Sequence, residues 1–270
     1  MNWANLSQAQ RDAAWNNSEA VPNSPALNEA RAARSMEFRA AHAGHLDLPY
    51  GPRERNKWDL FPNADPAAPC LVFIHGGYWQ RNTREHFSSL IEGVYAHGWS
   101  AALPGYTLGP DATMTQIVSE IHSALDWLAI NGAAHGIAGK VILSGWSAGG
   151  HLTGMGVAHP RVSAGMAVSG IFELGPIRDT YLNEKLHLTD NEVAALSPMR
   201  LPVTRKPLAI AYGTAEIWGL TCSSRDFHAY RSAAHAPGAL IPVAGADHFT
   251  ITDELHRPDG ELTRHLLTLV

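Results

Sequence analysis

The sequence predicts an α/β chain with a mostly parallel central sheet of about eight strands and helices on both faces. Three observations carry this prediction. Cys70-Leu-Val-Phe-Ile-His75 is continuously apolar, as expected of a strand buried on both faces. Beyond it, strand-like runs alternate with helical patterns, the rhythm of parallel strands joined by crossover helices. Finally, Lys140 to Leu152, KVILSGWSAGGHL, joins an apolar run to a helical pattern through a turn crowded with glycine.

In chain order, residues 1–44 form a polar N-terminal extension, broken at Pro22 and Pro25, with a helical pattern from about Ala26 to His42. Two uses are open for it: a flap over the active site or a helix packed on the sheet edge. His45–Tyr50 and Asn56–Phe61, separated by the turn dipeptide Gly51-Pro52, read as an antiparallel edge. After the Cys70 strand come a helix near Arg84–His97, a strand at Ser100–Leu103, a helix over Met114–Ile130 and a strand at Val141–Ser144. A helix over Ala148–Ala158 leads to a strand at Ala164–Ile171. Residues 173–207 then break the rhythm with helical patterns at Ile177–Leu186 and Asp190–Leu196 and no strand. This is expected to be a small cap inserted at a strand's carboxyl end, where open α/β sheets bind ligands. Leu208–Tyr212, Arg225–Ala234, Ala239–Val243 and Leu262–Leu269 complete the pattern as strand, helix, strand and helix. The whole of 1–270 reads as one domain, and 45% hydrophobic residues suffice for its core.

A net charge of −5 without basic runs provides no footprint for nucleic acid or an anionic membrane. The polar N-terminus and the lack of a long apolar stretch point to a cytoplasmic chain that neither spans nor binds a membrane. Cys70 and Cys222 make no disulfide framework and lack metal-ligand spacing, so both are expected to be reduced and structural. His42 and His45 have no carboxylate-histidine cluster around them and read as solvent-facing.

Gly145-Trp146-Ser147-Ala148-Gly149 fits G-x-S-x-G, with Ser147 on a strained strand-to-helix turn and glycines that let strand and helix approach. A hydroxyl is a poor nucleophile, so Ser147 requires a histidine base, an orienting acid and donors for the oxyanion. Fifteen histidines are present, but His248 alone combines a loop after the last strand with the order nucleophile, acid, base. The acid belongs after the preceding strand, where Tyr212-Gly-Thr-Ala-Glu216 supplies Glu216. Asp226 falls inside a helical pattern, and Asp247 is adjacent to His248 and poorly placed to turn back onto its ring. His75-Gly-Gly-Tyr-Trp79 resembles the His-Gly-Gly loop of lipases and esterases, which assigns the oxyanion hole to Gly77, Tyr78 and Ala148. His75 itself is expected to bond within the loop.

With HGGYW at His75–Trp79, GWSAGGHL at Gly145–Leu152 and GADHF at Gly245–Phe249, the chain resembles the kynurenine formamidase (arylformamidase) branch of the α/β-hydrolase family, near the hormone-sensitive-lipase-like esterases. LDLPYGPRERNKWDLFP and LHLTDNEVAALSP extend the resemblance over most of the chain from about Leu46. The resemblance implies an α/β-hydrolase fold, Ser147, Glu216 and His248 as catalytic triad, and no metal or other cofactor. It depart from the branch at Trp146, where histidine is expected, and in the apolar Ile-Trp-Gly-Leu after Glu216. The implied activity is serine hydrolysis of an N-formyl arylamine such as N-formylkynurenine. The alternative is a carboxylesterase for short-chain acyl esters, because the two reactions share one machinery. Tyr78, Trp79, Trp146 and Trp218 are candidate aromatic surfaces for the substrate. A small-molecule substrate is the expected partner, and a homodimer is left open. A hydrolase scaffold kept only for binding is the reading from a different class, and the full set of expected machinery residues speaks against it.

Overall fold

The computed structural model describes residues 3–270. The first two residues of the expected N-terminal extension lie outside the described residues. Eight strands form one sheet: β1 (His45–Pro49), β2 (Lys57–Phe61), β3 (Cys70–Ile74), β4 (Ser100–Pro104), β5 (Val141–Trp146), β6 (Val162–Val168), β7 (Leu208–Gly213) and β8 (Leu240–Val243). Their spatial order is β1-β2-β4-β3-β5-β6-β7-β8. β1, β2 and β4 pair antiparallel, and all pairs from β4 through β8 are parallel.

The alternation of side chains along each strand divides the core in two. Cys70, Val72 and Ile74 of β3 join Val141 and Leu143 of β5 on one face, packed against Ile117, Ile121 and Leu125 of the Met114–Asn131 helix. Leu71 and Phe73 point the other way with Ile142, Met166 and Val168, toward Phe87, Leu90 and Leu262. All five residues of β3 and all six of β5 are buried, which explains why their sequence is apolar without alternation. Asp59 of β2 is the exception on a buried strand, and it is paired with Arg39 and Arg84.

Several elements differ from the sequence expectation. The Arg84–His97 helix is a 3-10 helix over Arg84–Ile91 followed by an α-helix over Glu92–Ala96. The helix expected over Ile177–Leu186 is broken into Gly175–Arg178 and Asn183–Leu186. Asp179 lies in the break, and its backbone carbonyl and carboxylate accept hydrogen bonds from Gln8 Nε2 and Trp3 Nε1. The helix expected from Arg225 begins at Trp218 and so includes Cys222. No helix among the described residues is long and apolar enough to cross a membrane.

The N-terminal segment packs against two different parts of the molecule. Its Ser24–Ala41 helix packs on the 3-10 helix Arg84–Ile91, with Phe38 in the core and Ser35 Oγ donating to Ser89 Oγ at 3.0 Å. The stretch before it crosses the carboxyl end of the sheet. Tyr181 N–H donates to Asp12 at 2.9 Å, and a Cβ at Gly219 would lie 2.4 Å from the Ala14 carbonyl oxygen.

Candidate active site

Ser147 stands at the turn between β5 and the Ala148–Gly156 helix, with φ 59° and ψ −118°. A non-glycine residue in this region is strained, and the surrounding contacts explain how it is held. Ser147 N–H donates to the Val168 carbonyl at 2.8 Å, and His151 N–H donates to the Ser147 carbonyl at 3.1 Å. The two glycines of the motif are steric requirements: a Cβ at Gly149 would lie 2.0 Å from the Ile74 carbonyl oxygen, and one at Gly145 would lie 2.4 Å from that of Gly149.

Ser147 Oγ is 3.1 Å from His248 Nε2, and His248 Nδ1 is 3.0 Å from Glu216 Oε1. The three residues approach from three loops, after β5, β7 and β8. All three are buried, and the Glu216 carboxylate has no exposed surface. The tautomer compatible with both contacts has Nδ1–H donating to Glu216 and Nε2 free to accept the serine proton. Asp247 is occupied elsewhere: its carboxylate accepts from Phe249 N–H at 2.8 Å and Thr250 N–H at 2.9 Å. Asp226 lies on the Trp218–Ala233 helix and lines a separate cavity.

The His75–Trp79 loop runs directly beside this turn, since a Cβ at Gly76 would lie 2.6 Å from the Trp146 carbonyl oxygen and 2.9 Å from Ser147 Cβ. Gly77, Tyr78 and Trp79 have φ of 121°, 51° and 57°. The loop's carbonyls are engaged: Gly77 O accepts from Gln80 and Arg81 N–H at 3.0 and 3.2 Å, Gly76 O from Asn82 Nδ2 at 3.1 Å, and Trp79 O from Gly109 N–H at 2.8 Å. The N–H groups of Gly77, Tyr78 and Ala148 have no acceptor among the described residues, the condition an oxyanion hole requires. His75 is buried, with Nδ1 2.9 Å from the Gly76 carbonyl and its ring stacked 4.3 Å from Tyr106. Burial lowers its pKa to about 3, so the ring is neutral at physiological pH.

Ser147 and His248 line a small cavity of about 60 Å³ together with Gly77, Tyr78, Trp146 and Arg81. Two of the four candidate aromatic surfaces are therefore at the site and two are not. Trp79 is fully buried in the core, edge-on to His151 at 5.1 Å, because the left-handed turn of its loop directs it under the sheet's helices. Trp218 opens the helix after Glu216 and lines a larger cavity of about 380 Å³ with Trp3, Trp15 and Met199. The Trp146 ring lies 4.6 Å from that of His248, tilted by 30°. The sequence reading missed Asn17, Ser18 and Asn28, which also line the Ser147 cavity. Asn17 and Ser18 lie in a polar stretch without motif or periodicity and Asn28 on the following helix, and only the chain's path over the sheet brings them there.

A family model described as BD-FAE matches residues 59–165. The kynurenine formamidase of Danio rerio is 27% identical over 241 residues, covering 83% of this chain and 81% of the relative. That of Salmo salar is 28% identical over 242 residues with the same coverage. Among solved structures, a protein of Silicibacter sp. tm1040 provisionally called a thioesterase superposes with a TM-score of 0.81 at 27% identity, over 94% of this chain and 97% of its own. Esterase B of Lactobacillus rhamnosis shares the fold, with a TM-score of 0.72 at 17% identity over 96% of this chain and 93% of its own. Sheet topology, strained serine turn and relatives together define a hydrolase of the α/β-hydrolase class. Within that class the chain is similar to these kynurenine formamidases over 83% of its length.

Proposed function

We propose that the chain hydrolyses N-formyl arylamines of the N-formylkynurenine type through an acyl-enzyme on Ser147. The observation that carries the reading is the contact chain Ser147 Oγ, His248, Glu216, at 3.1 and 3.0 Å. Ser147 Oγ attacks the formyl carbon while His248 Nε2 takes its proton. The N–H groups of Gly77, Tyr78 and Ala148 hold the oxyanion, each donor being worth about 2.7 to 4 kcal/mol of transition-state stabilisation. The C–N bond then breaks as His248 returns the proton to the aniline nitrogen, leaving a formyl ester on Ser147. Water, deprotonated by His248, hydrolyses that ester to formate and restores the serine. Glu216 keeps the imidazole in the required tautomer and stabilises the imidazolium.

Two features favour this substrate. The cavity beside Ser147 is small, which suits formyl over longer acyl groups. Its lining includes one cationic side chain, Arg81, and no carboxylate, which suits a substrate bearing its own carboxylate. Hydrolysis of short-chain esters is the second reading, favoured by the esterases that share the fold. A spectrophotometric assay of N-formylkynurenine against phenyl acetate separates them. The formamidase reading predicts the larger kcat/KM on the formamide, and a value no better than that for the acetate removes it.

A further inference from the structure

Asn17 lines the Ser147 cavity and has one unpaired side-chain atom, and the neighbouring tyrosine settles that this atom is the acceptor. A phenol has one hydrogen, and Tyr78 donates its own to the Trp15 carbonyl at 2.6 Å. Burial raises the pKa of that phenol, so the hydrogen is present at any working pH. The Asn17 atom 2.7 Å from the same hydroxyl must therefore be the amide nitrogen, donating to the phenol oxygen. Oδ1 is left facing elsewhere, and it is buried without a donor, on a residue only 3% exposed that lines the cavity with Ser147 and His248. Native proteins seldom leave a buried amide oxygen unpaired, and a ligand N–H would satisfy it.

We propose that Asn17 Oδ1 accepts the N–H of the scissile amide and so selects anilides over esters of the same shape; this rests on Ser147 being the nucleophile of a formamidase. An ester places a bridging oxygen where the amide has N–H, and two acceptors then face each other without a proton between them. The contact strengthens along the reaction. As His248 delivers the serine proton to the nitrogen, that nitrogen gains positive character and its N–H becomes a charge-assisted donor to Asn17. The departing aniline keeps both hydrogens and Asn17 changes no covalent bond. The N-terminal segment thus contributes a substrate-contacting residue to a site otherwise built by loops of the sheet.

Formanilide and phenyl formate differ only in N–H against O at the scissile position, so their kcat/KM ratio isolates the contact. Asn17→Ala is expected to lower the formanilide to phenyl formate ratio by about tenfold, the order of one lost hydrogen bond. Asn17→Asp keeps an acceptor oxygen and is expected to hold the ratio within roughly threefold of wild type. If Asn17 acted only by bracing Tyr78, Asn17→Ala would slow both substrates and leave the ratio unmoved, which overturns the inference alone. A wild-type enzyme that cleaves phenyl formate but not formanilide overturns the formamidase reading, and the inference with it.

Discussion

The indole of Trp146 donates its Nε1–H to the backbone carbonyl of His248 at 2.8 Å, and the two rings lie 4.6 Å apart. The residue before the nucleophile thereby holds the loop that carries the base, bridging a separation of 102 positions in the chain. Arg31 lies on the same cluster, with its guanidinium 5.2 Å from the Trp146 ring and 4.3 Å from that of Phe87. Desolvation lowers the Arg31 pKa to about 10, which still leaves it charged at neutral pH. Trp146 is one of the two places at which the sequence differs from the pattern expected of kynurenine formamidases, and its indole N–H has a specific use here.

Trp146→Phe keeps an aromatic ring but removes that donor. One hydrogen bond of this kind contributes about 1 kcal/mol, so kcat should fall roughly fivefold. KM should move little, because the loss lies in the placement of His248. Steady-state kinetics on N-formylkynurenine check this, and an unchanged kcat would show that the loop holds its position without the bond.

Glu216→Gln should leave the fold intact and lower kcat by up to ~10⁴, because the amide favours the wrong imidazole tautomer and cannot compensate the imidazolium. Asp247→Asn and Asp226→Asn should be mild. Asn at 247 still offers an acceptor for Phe249 and Thr250 N–H, and Asp226 faces another cavity. Circular dichroism and kcat for the three variants, measured together, test the assignment of the acid.

Much of this site was legible in the sequence because local steric rules confine it. The Ser147 turn requires glycine at 145 and 149, and the buried parallel strands on either side require unbroken apolar runs. Glu216 and His248 followed from their places after successive strands. What escaped depends on packing between distant segments. The helix expected from Arg225 begins at Trp218, where Gly219 and Leu220 are buried against Trp15 and the core. Trp79 and Trp146 are alike as residues, and the left-handed backbone at 77–79 sends one into the core while the other lines the cavity. Asn17 meets Tyr78 across 61 positions, for which no local pattern exists.

Acid should destabilise the protein through its buried histidines. Desolvation lowers the pKa of His75 to about 3 and of His151 to about 4, against an ordinary value of 6.5. Between those values the unfolded chain binds more protons than the folded one, so stability rises with pH through this window and is lost as pH falls below about 6.5. Each histidine contributes a slope on the order of 1 kcal/mol per pH unit. Urea unfolding at pH 5 and pH 7 should show the lower stability at pH 5. His151→Gln, able to keep a donor to the Leu196 carbonyl that the histidine Nε2 contacts at 2.8 Å, should flatten the dependence.

The central claim is that Ser147 is the nucleophile, and reaction with an aryl fluorophosphonate tests it most directly. Peptide mass spectrometry should find one adduct per chain, on Ser147, with hydrolysis of N-formylkynurenine lost in step with labelling. Ser147→Ala should take up no label, and His248→Ala should label far more slowly. Full formamidase activity in Ser147→Ala, or in wild-type protein labelled stoichiometrically at Ser147, would contradict the account.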